Sequence, residues 1–165
     1  MEFKKGCPYG THRVISPKGV LPQPADVIDN TMEIYDNEVL IEVHTLNIDS
    51  ASFTEIERRA EGDIEEIKKI IMNIVETTGK HKNPWTGSGG MLIGKVAAIG
   101  PNFKGELKVG DKIATLVSLS LTPLKLEEIT EVRPEIDQVD VKGQAILFQS
   151  GLYGILPRDI SRNLA

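Results

Sequence analysis

The sequence predicts a mainly β domain, built as a partly open barrel of short strands with one inserted amphipathic helix. Three observations favour this fold. Apolar runs separated by Gly and Pro turns recur along the chain, a hairpin pattern spans 87–117, and residues at 38–49 alternate between apolar and polar. Helical spacing of apolar residues is strong in one stretch, at about 63–79, and a short helix is expected at 156–165.

Composition limits the classes of protein to consider. The chain has 165 residues, 40% hydrophobic and 26% charged, which suits one soluble domain. A net charge of −5 with interspersed signs does not favour nucleic acid or an anionic membrane surface. The single cysteine, Cys7, excludes an internal disulfide and a cysteine zinc cluster. With no run of about 20 apolar residues and no signal-peptide pattern, we expect a cytoplasmic protein.

Prolines and glycines in residues 1–26 predict extended, irregular chain with one short strand at 12–15. Cys7 and His12 are candidate metal ligands, but a structural role is favoured for such a lone pair. A short strand is expected at 25–30. The clearest strand is 38–49, where one face is apolar and His44 is expected on the wetter face.

Two helical segments follow. Residues 50–59 predict a polar helical turn. Asp63 predicts an N-cap, completed as a capping box by Glu66, for a helix at 64–78 that Gly79 ends. Apolar residues of that helix fall at helical spacing and predict its packing face: Ile64, Ile67, Ile70 or Ile71, Ile74 and Val75.

Residues 80–90, KHKNPWTGSGG, predict a loop. Two interpretations stay open, a binding loop between rigid elements or a surface loop with Trp85 tucked into the core.

Strands and turns fill the rest of the chain. A strand is expected from Met91 to Ile99, with Met91, Ile93, Val96, Ala98 and Ile99 on its apolar side. The turn at 108–112 leads to a second strand from Ile113 to Val117, extending towards Leu121. Further strands are predicted at 126–132, 137–141 and 143–148.

Two motifs in this order carry a resemblance. The first is a G-x-V-x-x-x-G strand at 94–100, and the second is the turn Val109-Gly110-Asp111-Lys112-Ile113. Together they resemble the N-terminal, GroES-like domain of the medium-chain dehydrogenase/reductase superfamily, and the segment 39–50 is similar to a strand of that domain. The resemblance implies a partly open GroES-like β-barrel. Residues 1–155 would be the substrate-side domain, and residues 156–165 would begin a linker helix towards a Rossmann domain.

The chain departs from the zinc-dependent members of that superfamily. Asp49 stands where they have a cysteine ligand, and Gly87 to Gly90 stand near the place of their G-H-E motif. The resemblance therefore implies a zinc-free enzyme with no metal site. One branch of that superfamily, which oxidatively deaminates a diamino acid with NAD(P)+, is similar to this chain in three places. These are the segments 7–24 and 83–94 and the helix at 63–79.

A dinucleotide site has a G-x-G-x-x-G turn that opens a helix after a strand, and this sequence has none. We therefore expect NAD or NADP to be bound mainly by a Rossmann domain absent from this chain, supplied in cis or in trans. The 165-residue piece alone should be inactive, and a homo-oligomer is possible.

The resemblance implies candidate site residues. Oxidation of an amine needs a base, because the amine must be neutral before hydride leaves. Asp49 and Glu55 are the catalytic candidates, and either carboxylate could bind the second, cationic amine. The substrate-binding candidates are Asn47, Ser50, Thr86 and Ser88. Asp49 could instead be only a cap on the turn after its strand.

A rival hypothesis is a stand-alone barrel that serves as a binding or assembly module, with the loop at 83–90 as its contact surface. A GroES-like fold does not by itself imply catalysis.

Overall fold

The computed structural model describes residues 3–156. It contains two α-helices and eight strands within that range. The strands are β1 Val14–Ser16, β2 Val27–Ile28, β3 Val39–Ile48, β4 Gly90–Ile99, β5 Lys112–Thr115, β6 Leu124–Arg133, β7 Gln138–Leu147 and β8 Tyr153–Ile155, and the helices are α1 Ser50–Arg59 and α2 Ile64–Thr78. The helix predicted at 156–165 falls outside the described residues except for Leu156.

Six strands form one antiparallel sheet in the order β6-β7-β3-β4-β5-β8, and β1 pairs with β2 separately. β6 and β8 lie at opposite edges, so the sheet is not closed. The prediction of a mainly β, partly open domain is therefore confirmed. Neither helix within residues 3–156 is long and apolar enough to cross a membrane.

β3 lies inside the sheet, between β7 and β4, and one of its faces is continuously apolar. Val39, Ile41 and Val43 are at most 1% exposed. The register with both neighbouring strands shifts between Val43 and Thr45, and Thr45 and Leu46 are both buried beyond that point. Such an irregularity redirects the end of a strand, here the end that precedes α1.

α2 spans the predicted residues. The Asp63 carboxylate accepts a hydrogen bond from the Glu65 N–H at 2.9 Å, and Gly79 ends the helix in the left-handed conformation. The second half of the predicted capping box is wrong, because Glu66 pairs with Lys69 and the Asp63 N–H donates to the Ala60 carbonyl. Ile64 is also misassigned to the packing face, since it is exposed.

α1 is a complete helix rather than a polar turn. Ser52, Phe53 and Ile56 are buried on one side of it, and the last two belong to the same apolar core as α2. The domain therefore has a second inserted helix beyond the one predicted.

Several predicted strand limits differ from the structure. Thr11–Arg13 form a 3-10 turn, so strand β1 begins only at Val14. The strands expected at 137–141 and 143–148 are one strand, β7, whose ladder with β6 and β3 runs on through Gly143. β5 ends at Thr115 rather than at the predicted Val117. It does not extend towards Leu121, because Leu119–Leu121 form another 3-10 turn. Met91 is 40% exposed rather than part of the core.

A buried ion pair anchors the N-terminal segment. Both Arg13 and Glu38 are fully buried, and Arg13 donates two hydrogen bonds of 2.8 Å to the Glu38 carboxylate. His12 accepts a hydrogen bond from the Cys7 N–H at Nδ1, and its Nε2 lies 2.7 Å from Glu38. These contacts account for His12 as a structural residue, with the proton on Nε2 in its neutral form.

Candidate functional site

An open cleft lies where β3 ends and β4 begins. It has a volume of about 420 Å³. The residues that line it come from the end of β3, the start of β4 and the segment after β5: Asn47, Ile48, Asp49, Gly90, Met91, Leu116, Val117 and Ser118.

Gly90 allows the two strand ends to meet closely. Its φ is +145°, and a Cβ there would lie 2.1 Å from the Asn47 carbonyl oxygen. Gly90 pairs with Ile48 in the ladder, and the Gly89 carbonyl accepts the Asp49 N–H at 2.9 Å. The loop before β4 is thereby held against the residue that begins α1.

Asp49 occupies the N-cap position of α1 but makes no capping hydrogen bond with its side chain. It is exposed and lines the cleft beside Asn47, which is half-buried. Asp49 therefore stands at the expected cap position, but its carboxylate does not cap the helix. A carboxylate and an amide together can accept hydrogen bonds from an ammonium group.

Glu55 lies about 9 Å further along the axis of α1, judged from the helical rise. It accepts hydrogen bonds from Arg58 at 2.6 Å and from Arg59 at 2.9 Å, and Arg58 above all holds the pKa of Glu55 below its usual value. The Arg59 guanidinium in turn lies over the Trp85 ring, 3.8 Å from its centroid. Glu55 does not line the cleft with Asp49, and its charge is already paired.

Of the two interpretations of the loop at 80–90, the structure contradicts the one that places Trp85 in the core, and the binding loop stays a prediction. Trp85 is 44% exposed, so the idea that it fills the core is wrong. Thr86 is exposed, Ser88 is half-buried, and their hydroxyl oxygens lie 2.7 Å apart. Ser50 is exposed in the first turn of α1. None of these three residues lines the cleft, and only Ser50 is directly next in sequence to a lining residue, Asp49.

Ser118 and Met91 line the cleft and were not predicted as site residues. Ser118 caps the turn Leu119–Leu121 by accepting the Ser120 N–H at 3.1 Å. Ser118, followed two residues later by Ser120, is a local capping signal in the sequence. Its position beside Asp49 depends on the pairing of β4 with β5, and no local pattern shows that.

Polar residues beneath the loop were also missed. His81, Asn83 and Ser52 are all fully buried. His81 Nε2 lies 3.4 Å from the Ser52 hydroxyl, while its Nδ1 has no partner. Burial lowers the pKa of His81 to about 4, so the imidazole is neutral at pH 7.

Neither α-helix start within residues 3–156 suits the phosphates of a dinucleotide. Such phosphates bind at open helix N-termini, and both helices here begin at an aspartate N-cap, Asp49 or Asp63, whose charge would repel them. Within residues 3–156, no group of three or more His, Cys, Asp or Glu side chains is arranged to hold a metal ion.

Comparison with known proteins gives consistent matches. A family described as the L-erythro-3,5-diaminohexanoate dehydrogenase N-terminal domain matches residues 12–157. An L-erythro-3,5-diaminohexanoate dehydrogenase of Fusobacterium nucleatum subsp. nucleatum is 63% identical over 165 residues, covering 99% of this chain and 48% of the relative. The enzyme of the same name from Acetoanaerobium sticklandii is 60% identical over 163 residues, covering 98% of this chain and 47% of the relative.

The chain thus spans about half the length of the curated relatives it matches. The family match covers β1 to β8 and includes the whole cleft. The chain belongs to the family of L-erythro-3,5-diaminohexanoate dehydrogenase N-terminal domains.

Proposed function

We propose that this chain is the substrate-side part of a dehydrogenase that oxidatively deaminates 3,5-diaminohexanoate. The observation that carries the proposal is identity of 60–63% over nearly the whole chain with two enzymes of that name. The reaction would belong to lysine fermentation in the cytoplasm and would need no zinc.

The proposal extends to the fold family and the division into domains. Residues 1–155 form a GroES-like domain of the medium-chain dehydrogenase/reductase superfamily, and residues 156–165 lead towards a Rossmann domain. The open six-stranded sheet and the V-G-D turn, with Gly110 at a φ of +97°, support this assignment. The relatives, about twice as long, leave room for the second domain in cis.

The cofactor, NAD or NADP, belongs in that second domain, because the phosphate-repelling aspartates at both helix starts do not suit it here. The residues of this chain act on the diamino acid. Asp49 takes a proton from the reacting ammonium group or pairs with the second one, and Asn47 orients the substrate within the cleft. The hydroxyls of Ser50, Thr86 and Ser88 add hydrogen bonds to the substrate. Glu55, held by two arginines, is the weaker candidate for the base.

The proposal is tested by following NADH or NADPH formation from 3,5-diaminohexanoate with the full-length protein. Activity of the full-length protein, and none of the 165-residue chain, is the expected result. If a correctly folded full-length protein gave no activity, the domain would instead be a binding or assembly module. Stoichiometric zinc in the active enzyme would contradict the zinc-free assignment.

The role of Asp49 has a sharper test in the active enzyme. Asp49→Asn keeps the size of the side chain and removes its basicity, so kcat/KM should fall by at least about tenfold. Glu55→Gln is the matched control on the same helix, and we expect a smaller effect from it. An unchanged kcat/KM for Asp49→Asn would remove Asp49 from the site.

A further inference from the structure

We propose that Asn83 is a positioning residue of the diamino-acid site, which fixes the site loop, residues 83–90, against helix α1. The inference rests on the proposed function, since the loop matters only if its residues meet the substrate. Asn83 itself is fully buried and acts through the groups it holds.

The Asn83 side chain joins two separate elements. Its amide nitrogen donates to the Ser52 carbonyl at 3.1 Å and to the Ser52 hydroxyl at 3.0 Å, both on α1. Its amide oxygen accepts the N–H groups of Trp85 at 2.8 Å and Thr86 at 3.1 Å, both in the site loop. One side chain therefore ties the loop to the helix that Asp49 begins.

The Asn83 backbone closes the same loop on itself. The Asn83 N–H donates to the Ser88 carbonyl at 2.8 Å, and the Gly87 N–H donates to the Asn83 carbonyl at 2.7 Å. Directly after Ser88, the Gly89 carbonyl accepts the Asp49 N–H at 2.9 Å. The positions of Thr86, Ser88 and Asp49 are consequently coupled through Asn83.

The geometry requires an asparagine. The side chain must donate two hydrogen bonds on one side and accept two on the other, which an aspartate cannot do because it has no donor. A glutamine is one methylene longer than a site with no exposed surface allows. Loss of the amide would leave the part-buried N–H groups of Trp85 and Thr86 without this acceptor and the Ser52 hydroxyl without this donor.

This architecture predicts which kinetic constant depends on Asn83. A loop released from α1 misplaces Gly90, the loop residue that lines the cleft, and displacements of about 1 Å can cost about 100-fold in an enzyme. The cofactor is held elsewhere in the proposed enzyme. The KM for the diamino acid should therefore change, while the KM for NAD or NADP should not.

The experiment uses the full-length enzyme and its Asn83→Ala variant. We expect the KM for 3,5-diaminohexanoate to rise by at least about tenfold, with the KM for the cofactor within about twofold. Hydrogen exchange measured by mass spectrometry should quicken in peptides that cover residues 83–88, because the N–H groups of Trp85 and Thr86 lose the Asn83 side-chain oxygen as their acceptor.

Two further variants separate positioning from folding. Asn37→Ala is the matched control, because Asn37 is buried, donates to the Gly6 carbonyl at 2.9 Å and lies in the turn before β3, about 30 Å of strand from the cleft. It should lower stability and leave both KM values unchanged. Ser52→Ala removes only the hydroxyl partner, and it should raise the KM for the diamino acid by about threefold even if Asn83→Ala fails to fold.

The outcomes are distinct. An unchanged KM for the diamino acid in folded Asn83→Ala, or in Ser52→Ala when the first variant does not fold, would overturn the inference alone. A KM change of equal size in Asn37→Ala would also overturn it. If the wild-type enzyme did not oxidise 3,5-diaminohexanoate, the proposed function would fail and the inference would fail with it.

Discussion

Acidification should destabilise this domain through His81. The imidazole is fully buried, and the polar group nearest its Nε2 is the uncharged hydroxyl of Ser52 on α1, at 3.4 Å. Burial without a compensating charge lowers the pKa of His81 from 6.5 to about 4.

The sign follows from proton uptake. Below pH 6.5 the unfolded chain protonates His81 while the folded chain keeps it neutral, so unfolding takes up a proton. The stabilising contribution is complete above pH 6.5 and disappears as the pH falls through 4. The interval from 6.5 to about 4 corresponds to roughly 3 kcal/mol, and about 2 kcal/mol of it should be lost between pH 7 and pH 4.5.

Urea unfolding at pH 7 and pH 4.5 measures this difference. His81→Gln removes the titrating group, so the variant should lose about 2 kcal/mol less than the wild type over that interval. Ser52→Ala is the control, because it removes the hydroxyl next to the ring and keeps the imidazole. Its stability should fall with pH as in the wild type. Equal losses in wild type and His81→Gln would refute the assignment of this pH dependence to His81.

Two further predictions concern stability. Glu38→Gln leaves the buried Arg13 without its charged partner and should lower the free energy of unfolding by roughly 3–5 kcal/mol, measured by urea unfolding. Glu66→Gln is the control, because it breaks an exposed pair with Lys69 and should lower the free energy of unfolding by less than about 1 kcal/mol. Gly90→Ala places a Cβ 2.1 Å from the Asn47 carbonyl oxygen of β3. Gly87→Ala also puts an alanine at a positive φ, +74°, but its Cβ would meet open space. Gly90→Ala should therefore lower the melting temperature clearly more than Gly87→Ala. Equal effects within either pair would contradict these structural explanations.

The elements that the sequence predicts well are those with local signals. α2 combines an N-cap at Asp63, an apolar stripe and a left-handed glycine at its end, all within 17 residues of chain. β3 alternates over its first half, before the register shift. At both elements, local preference and tertiary packing agree, which is why the pattern alone suffices.

Burial of polar residues was not predictable from their neighbours in sequence. Lys80 is fully buried, and its ammonium group donates to the carbonyls of Pro22 at 2.6 Å and Gln23 at 3.1 Å. Burial lowers the pKa of Lys80 to about 8. Its partners lie 58 and 57 residues earlier in the chain. The local sequence, a Gly-rich loop, therefore predicts an exposed lysine. The contact between Asn83 and Ser52, which are 31 residues apart in sequence, was concealed in the same way.

Asp49 and Glu55 show why residue type alone could not assign the site. Both are carboxylates on or beside α1, and the sequence offers no reason to prefer one. The structure places Asp49 at the helix start, where it lines the cleft and makes no capping bond, and it places Glu55 between Arg58 and Arg59. A carboxylate already paired with two guanidinium groups is a poor proton acceptor, because protonation would sacrifice both ion pairs. The difference between them therefore comes from their surroundings, and it makes Asp49 the better candidate for the proposed base.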